Sequence, residues 1–86
     1  MKTIAVDYDD TYSEDPELFE LFIQAAQARK HIVVMVTARG ENKPVPVTSC
    51  EVFYTNGALK APFMKAQGLE IDIWVDDWPE IIGPTH

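Results

Sequence analysis

Three carboxylates fall within four positions of the stretch IAVDYDDTYSEDPELF, residues 4–19: Asp7, Asp9 and Asp10, followed by Thr11. A second acidic pair, Asp76–Asp77, closes the segment IDIWVDD, and Thr37 closes the run IVVMV. Lys60 lies between those two features in the chain. Carboxylates can attack as nucleophiles, move protons or bind a hard cation. Hydroxyl and ammonium groups can hold the oxygens of an anion. Each of the acids and Thr37 follows a short apolar run, so this chemistry is expected at the ends of strands.

Spacing adds a constraint. Side chains alternate along a strand, so Asp7 and Asp9 share a direction on either side of Tyr8. In open α/β sheets, ligands bind beyond the carboxyl ends of the strands, where the winding reverses. If the first and last strands are neighbours there, Asp7, Asp9, Asp76 and Asp77 converge. Two carboxylates ~5 Å apart repel by about 3 kcal/mol at an effective dielectric of ~20. A divalent cation relieves that repulsion, and an all-oxygen donor set with few protein ligands suits Mg²⁺. Zinc is not expected, because His31 and His86 have no partners at ligand spacing.

The elements that must position these groups are readable in outline. Residues 3–6 form a short buried strand. Asp15-Pro16-Glu17 starts a helix, with Asp as N-cap and Pro at the first helical position. Leu18, Leu21, Phe22, Ala25 and Ala28 recur at helical spacing, Phe19, Ile23 and Ala26 widen the stripe, and Arg29-Lys30 closes the helix. The β-branched run 32–36 predicts a parallel strand covered on both faces. Pro44 and Pro46 make the next stretch a loop. CEVFY is a third strand, TNG a turn, and residues 58–67 a helix with Pro62 in its first turn and Gly68 as C-cap. In the fourth strand Ile71, Ile73 and Val75 are expected on one face and Trp74 on the other. The order β-α-β-loop-β-α-β predicts a single α/β domain, a small doubly wound parallel sheet of about four strands, Rossmann-like.

Composition narrows the function classes. The 86 residues are 47% hydrophobic, enough for one modest core. A net charge of −7 argues against bulk nucleic-acid or anionic-membrane binding. One phosphate could still be held locally with a metal. The opening MKTIAV is too short an apolar run for a secretory leader, and no run approaches ~18 apolar residues. With a single cysteine, Cys50, a cytoplasmic protein is expected.

VDYDDT resembles motif I, DxDx[TV], of the haloacid-dehalogenase-like phosphohydrolases. Asp7 matches the nucleophile, Asp9 the acid/base and Thr11 the last position. VVMVTAR looks like motif II, ending in Thr37, and WVDD like the metal-binding motif IV. Lys60 stands where the motif III lysine is expected, with Lys65 as the alternative. The resemblance implies a HAD-like core without a cap domain. It further implies a Mg²⁺-dependent phosphomonoester hydrolase that passes through an aspartyl-phosphate. The catalytic residues would be Asp7, Asp9, Thr37 and Lys60. The metal would be held by Asp7, the Asp9 backbone carbonyl, Asp76 and Asp77. Many members carry Gly where this chain has Asp10. A capless, open site suits a phosphorylated macromolecule or a nucleotide as substrate, or a second copy of the chain as lid.

Plainer readings stand beside these. Thr37 could cap backbone, Arg39 could be a surface loop residue, Asn56-Gly57 a turn, and Trp74 and Trp78 packing residues. Cys50 reads as a small apolar residue, His31 as a contact between elements and His86 as tail. Two rival functions follow: a non-catalytic binding or regulatory module on the same fold, and a receiver-like phospho-accepting domain. The second is disfavoured, since CEVFYTNG offers no aspartate after the third strand.

Overall fold

A computed structural model describes residues 1–85; His86 lies outside the described residues. Four parallel strands form one sheet: β1 (Thr3–Val6), β2 (Ile32–Thr37), β3 (Glu51–Tyr54) and β4 (Ile73–Val75), in the order β3-β2-β1-β4. Two helices, α1 (Pro16–Ala28) and α2 (Lys60–Ala66), connect them. The expected small, capless, Rossmann-like α/β sheet is therefore present.

The sheet is wound on both faces. Ile23 and Ala26 of α1 pack with Ile4, Val6, Val33 and Met35 on one side. Met64 of α2 packs with Ala5, Val34 and Val36 on the other. This accounts for the unbroken apolar run in β2, which is buried from Val33 to Thr37. The Pro-bearing loop contributes too, since Val45 and Val47 are buried in the α1-side cluster. Two valines there occupy space that a crossover helix would otherwise fill.

Helix ends follow their sequence signals. Asp15 Oδ1 accepts from the Leu18 N–H (3.1 Å) and Pro16 opens α1. Gly68 has φ 81°, the left-handed conformation that closes a helix at least cost in glycine.

Two expectations are corrected. The buried residues of α1 are Ile23 and Ala26, with Phe19 partly buried beside them, whereas Leu18 (55%), Leu21 (62%), Phe22, Ala25 and Ala28 remain exposed. Helical period alone gives a wide stripe. Which part is buried depends on where the sheet ends, and here it ends at the three-residue β4. Ile71 precedes that strand and packs with Trp74 on the α2 side, while Val75 packs on the α1 side. A three-residue strand is too short for alternation to carry back to residue 71. Among the described residues, no helix is long and apolar enough to cross a membrane.

Candidate active site

β1 is central, with β2 on one side and β4 on the other, and the chain reverses its winding between β1 and β4. Register places Val6 level with Val75, so the residues that follow each strand meet. The Asp7 N–H still donates to the Val75 carbonyl (2.9 Å), carrying the ladder into the acidic residues. Asp7 is thereby fixed beside Asp76 by backbone pairing, before any side-chain attraction acts.

Asp7 is buried and fully engaged. Lys60 Nζ donates to its Oδ1 (2.8 Å) and to Asp76 Oδ2 (2.6 Å). Lys60 opens α2 one turn before Met64, so both point at the sheet, and its side chain is 1% exposed. The Asn56-Gly57 turn aims that helix. Asn56 and Gly57 donate backbone N–H groups to the carbonyls of Arg39 (3.1 Å) and Ala38 (2.9 Å). Both have positive φ, 54° and 85°. Lys65 lies elsewhere, in a groove with Trp74 and Pro84.

Thr11 links the two acidic stretches. Its hydroxyl lies 3.0 Å from Asp7 Oδ2 and 3.2 Å from Asp77 Oδ1, and it accepts from the Asp77 N–H (3.2 Å). One hydroxyl hydrogen serves two carboxylates, so Thr11 donates to one at a time. Burial pushes the Asp7 carboxyl up to about 6. Lys60 pulls the other way, and Asp77 and Asp76 add to the rise.

Asp7, Asp76 and Asp77 offer oxygens that all lie within 4.8 Å of one another. Oxygens on one Mg²⁺ at ~2.1 Å are at most about 4.2 Å apart, so small side-chain rotations would fit the set to that ion. Lys60 offsets only one of the three charges. The donor set and its residual charge therefore suit a hard divalent cation.

Asp9 is placed differently. It is half-exposed and clamped by Arg39, whose Nε donates to Oδ2 (2.9 Å) and Nη2 to Oδ1 (2.8 Å). The guanidinium holds the Asp9 carboxyl below its ordinary range. It also stands over the Tyr8 ring, 5.0 Å from the centroid. Asp9 and Asp10 line an open cavity of about 190 Å³ with Asp7, Lys60, Asp76 and Asp77, and Trp78 and Ile81 line it too.

Asp10 has φ 62°, and its N–H donates to Ser13 Oγ (2.9 Å). A left-handed position explains why glycine would suit that place, and aspartate is among the residues that tolerate it.

Thr37 is not joined to the acids. It is fully buried, and its hydroxyl accepts from the Arg39 N–H (3.2 Å), while Ala38 lines the cavity in its stead. Among the remaining residues, Cys50 packs under α1, and burial pushes its thiol up to about 11. His31 Nδ1 accepts from the Lys2 N–H (3.0 Å) between two strands' starts.

Sequence reasoning missed two contacts: Thr11 bridging Asp7 to Asp77, and Arg39 clamping Asp9. The first signal was present, since a hydroxyl four residues beyond Asp7 can turn back to it. The second pairs residues on loops after different strands, and nothing in local spacing reports it.

No family model matches the chain, and no curated protein or solved structure shows a match to it.

Proposed function

We propose that the chain is a Mg²⁺-dependent phosphomonoester hydrolase of the haloacid-dehalogenase-like kind, with Asp7 as nucleophile. The observation that carries this reading is the position of Asp7. It is buried at the end of the central strand, against Lys60 and within a set of carboxylates facing an open cavity.

An Asp7 oxygen attacks phosphorus, and the P–O bond to the substrate alcohol breaks. Asp9 gives its proton to the departing alkoxide. The aspartyl-phosphate is then hydrolysed by water, with Asp9 taking the proton, which releases phosphate and restores Asp7. Thr11 can turn its hydroxyl hydrogen to Asp77 and so free Asp7 Oδ2 for attack. Lys60 offsets charge on the phosphoryl oxygens. Mg²⁺, held by Asp7, Asp76, Asp77 and the Asp9 carbonyl, would supply further charge neutralisation at the phosphoryl group. Thr37, as observed, anchors the loop after β2 and would reach a phosphoryl oxygen only on opening of that loop.

The test is phosphate release from an aryl phosphate with Mg²⁺, wild type against Asp7→Asn. Loss of a nucleophile should cost roughly 10⁴-fold or more. Equal rates would remove Asp7 from the chemistry.

A second reading, a non-catalytic binding module, is favoured by the clamp on Asp9 and the burial of Thr37. It predicts Mg²⁺-dependent stabilisation with no turnover across a panel of phosphate esters. Turnover that disappears in Asp7→Asn would exclude it. An open site with no covering segment among the described residues suits a nucleotide, a phosphorylated macromolecule, or closure by a second copy.

A further inference from the structure

We propose that Arg39 is a latch on Asp9 that the substrate itself displaces, so that the site selects phosphate esters carrying a second anionic group. This rests on the proposed phosphatase reading. Both Asp9 oxygens accept from the Arg39 guanidinium, at 2.9 and 2.8 Å. A carboxylate held in this way keeps one lone pair of each oxygen on the guanidinium, so proton transfer through Asp9 is eased when Arg39 leaves.

The clamp is built to open. Asp9 is exposed (51%) and Arg39 partly exposed (31%), so water and an incoming anion can reach the pair and compete for it. Of the five guanidinium N–H donors, Asp9 takes two and the Lys43 carbonyl one (3.3 Å), which leaves two for an incoming anion. Arg39 is positioned from behind: its N–H donates to Thr37, its carbonyl accepts from Asn56, and its side chain rests over Tyr8. The guanidinium can therefore swing while its backbone stays fixed.

The geometry also separates the two anion positions. Lys60 and Asp7 are buried, so the reacting phosphoryl belongs at depth, beside them. Arg39, 31% exposed against 1% for Lys60, is reached through Asp9, which lines the same cavity. The group that competes for it is a second phosphate or carboxylate on the leaving portion of the substrate. Guanidinium pairs with such planar or tetrahedral oxyanions through two parallel N–H donors.

The experiment compares adenosine 5′-monophosphate with adenosine 3′,5′-bisphosphate, on wild type and Arg39→Gln, with Mg²⁺. Wild type is expected to favour the bisphosphate about tenfold in kcat/KM. In Arg39→Gln, kcat on the monophosphate should rise several-fold at similar KM, while KM for the bisphosphate rises about tenfold. A merely structural Arg39 would instead lower both kcat values together and keep the preference, which overturns the latch. The Arg39 Nε–H NMR signal, assigned by its loss in Arg39→Gln, gives a readout independent of turnover. Displacement by the bisphosphate but not the monophosphate supports the latch even if no phosphate is released, in which case only the phosphatase reading falls. A signal unmoved by either nucleotide overturns the latch whatever the rates.

Discussion

Asp7 leaves 8% of its side chain in contact with solvent and Asp9 leaves 51%, although only Tyr8 separates them. Asp7 is the residue at which the β1–β4 ladder ends, so it inherits the burial of the sheet. Asp9 lies past the end of that ladder, just before the left-handed turn at Asp10, and meets a loop arginine instead of the sheet. Burial raises the carboxyl of one, and a guanidinium lowers that of the other. β1 ends at Val6 and a turn begins at Tyr8, so the alternation expected to align Asp7 with Asp9 does not extend to them, and their environments differ. In the proposed reaction the nucleophile needs to be held and the proton carrier needs to be reachable; one turn separates those requirements.

The contrast can be broken most forcefully at Lys60. Lys60→Met removes the ammonium that faces both Asp7 and Asp76, and stranding buried carboxylates should cost about 3–5 kcal/mol in metal-free protein. Urea denaturation in chelator measures this, and added Mg²⁺ should restore part of the loss. An unchanged midpoint would mean that the pairing does not hold the site together.

Titration sharpens the contrast next. In metal-free protein Asp7 releases its proton near pH 4 when unfolded and near pH 6 when folded. Between those values the folded chain holds a proton that the unfolded chain has lost, so stability falls as pH rises and levels off above. Asp7→Asn removes that slope. The stability of Asp7→Asn relative to wild type should rise by roughly 2 kcal/mol from pH 4 to 6. A constant gap would place the Asp7 carboxyl in ordinary surroundings.

Asp9 should give the opposite and shallower slope. Its depressed folded value contributes stability above the unfolded value, lost as pH falls below about 4. Solvent screening keeps that contribution small. Asp9→Asn should therefore differ from wild type above pH 4 and converge with it in acid. A difference at neutral pH as large as that for Asp7→Asn would erase the distinction between the two sites.

The smallest effect belongs to the turn itself. Asp10→Gly should stay within about 0.5 kcal/mol of wild type, since relief at positive φ is offset by a freer unfolded chain. Asp10→Val should cost at least ~1 kcal/mol, because a β-branched side chain resists that conformation. Thermal melts of both variants distinguish a backbone role for residue 10 from a charge role.

Much of the frame was legible because it depends on local pattern. The strand runs, the Asp15-Pro16 helix start, the Asn56-Gly57 turn and the Gly68 stop each act over a few residues. The meeting of Asp7 with Asp76 and Asp77 was conditional on strand order, and β1 beside β4 meets that condition. What the pattern could not supply was phase and partner. Leu18, Leu21 and Phe22 share the helical period of Ile23, yet only a sheet extending further would cover them. Val45 and Val47 each follow a proline, Pro44 and Pro46, and those prolines forbid a helix but do not forbid burial. The Arg39–Asp9 clamp joins two loops whose meeting only the folded chain determines.

The β1–β4 pairing has a consequence for how the protein is made. Thr3 pairs with Asp72 across 69 residues, and Thr11 with Asp77 across 66. As residues emerge in order from a ribosome, β1, α1 and β2 can assemble early through neighbouring segments. Asp7 then stands at an open sheet edge until β4 arrives. The cavity cannot exist on a nascent chain that lacks residues 73–77, so the acidic cluster would form only after β4 has been made. Until then the unpaired edge of β1 is the surface on which a misdirected strand could settle.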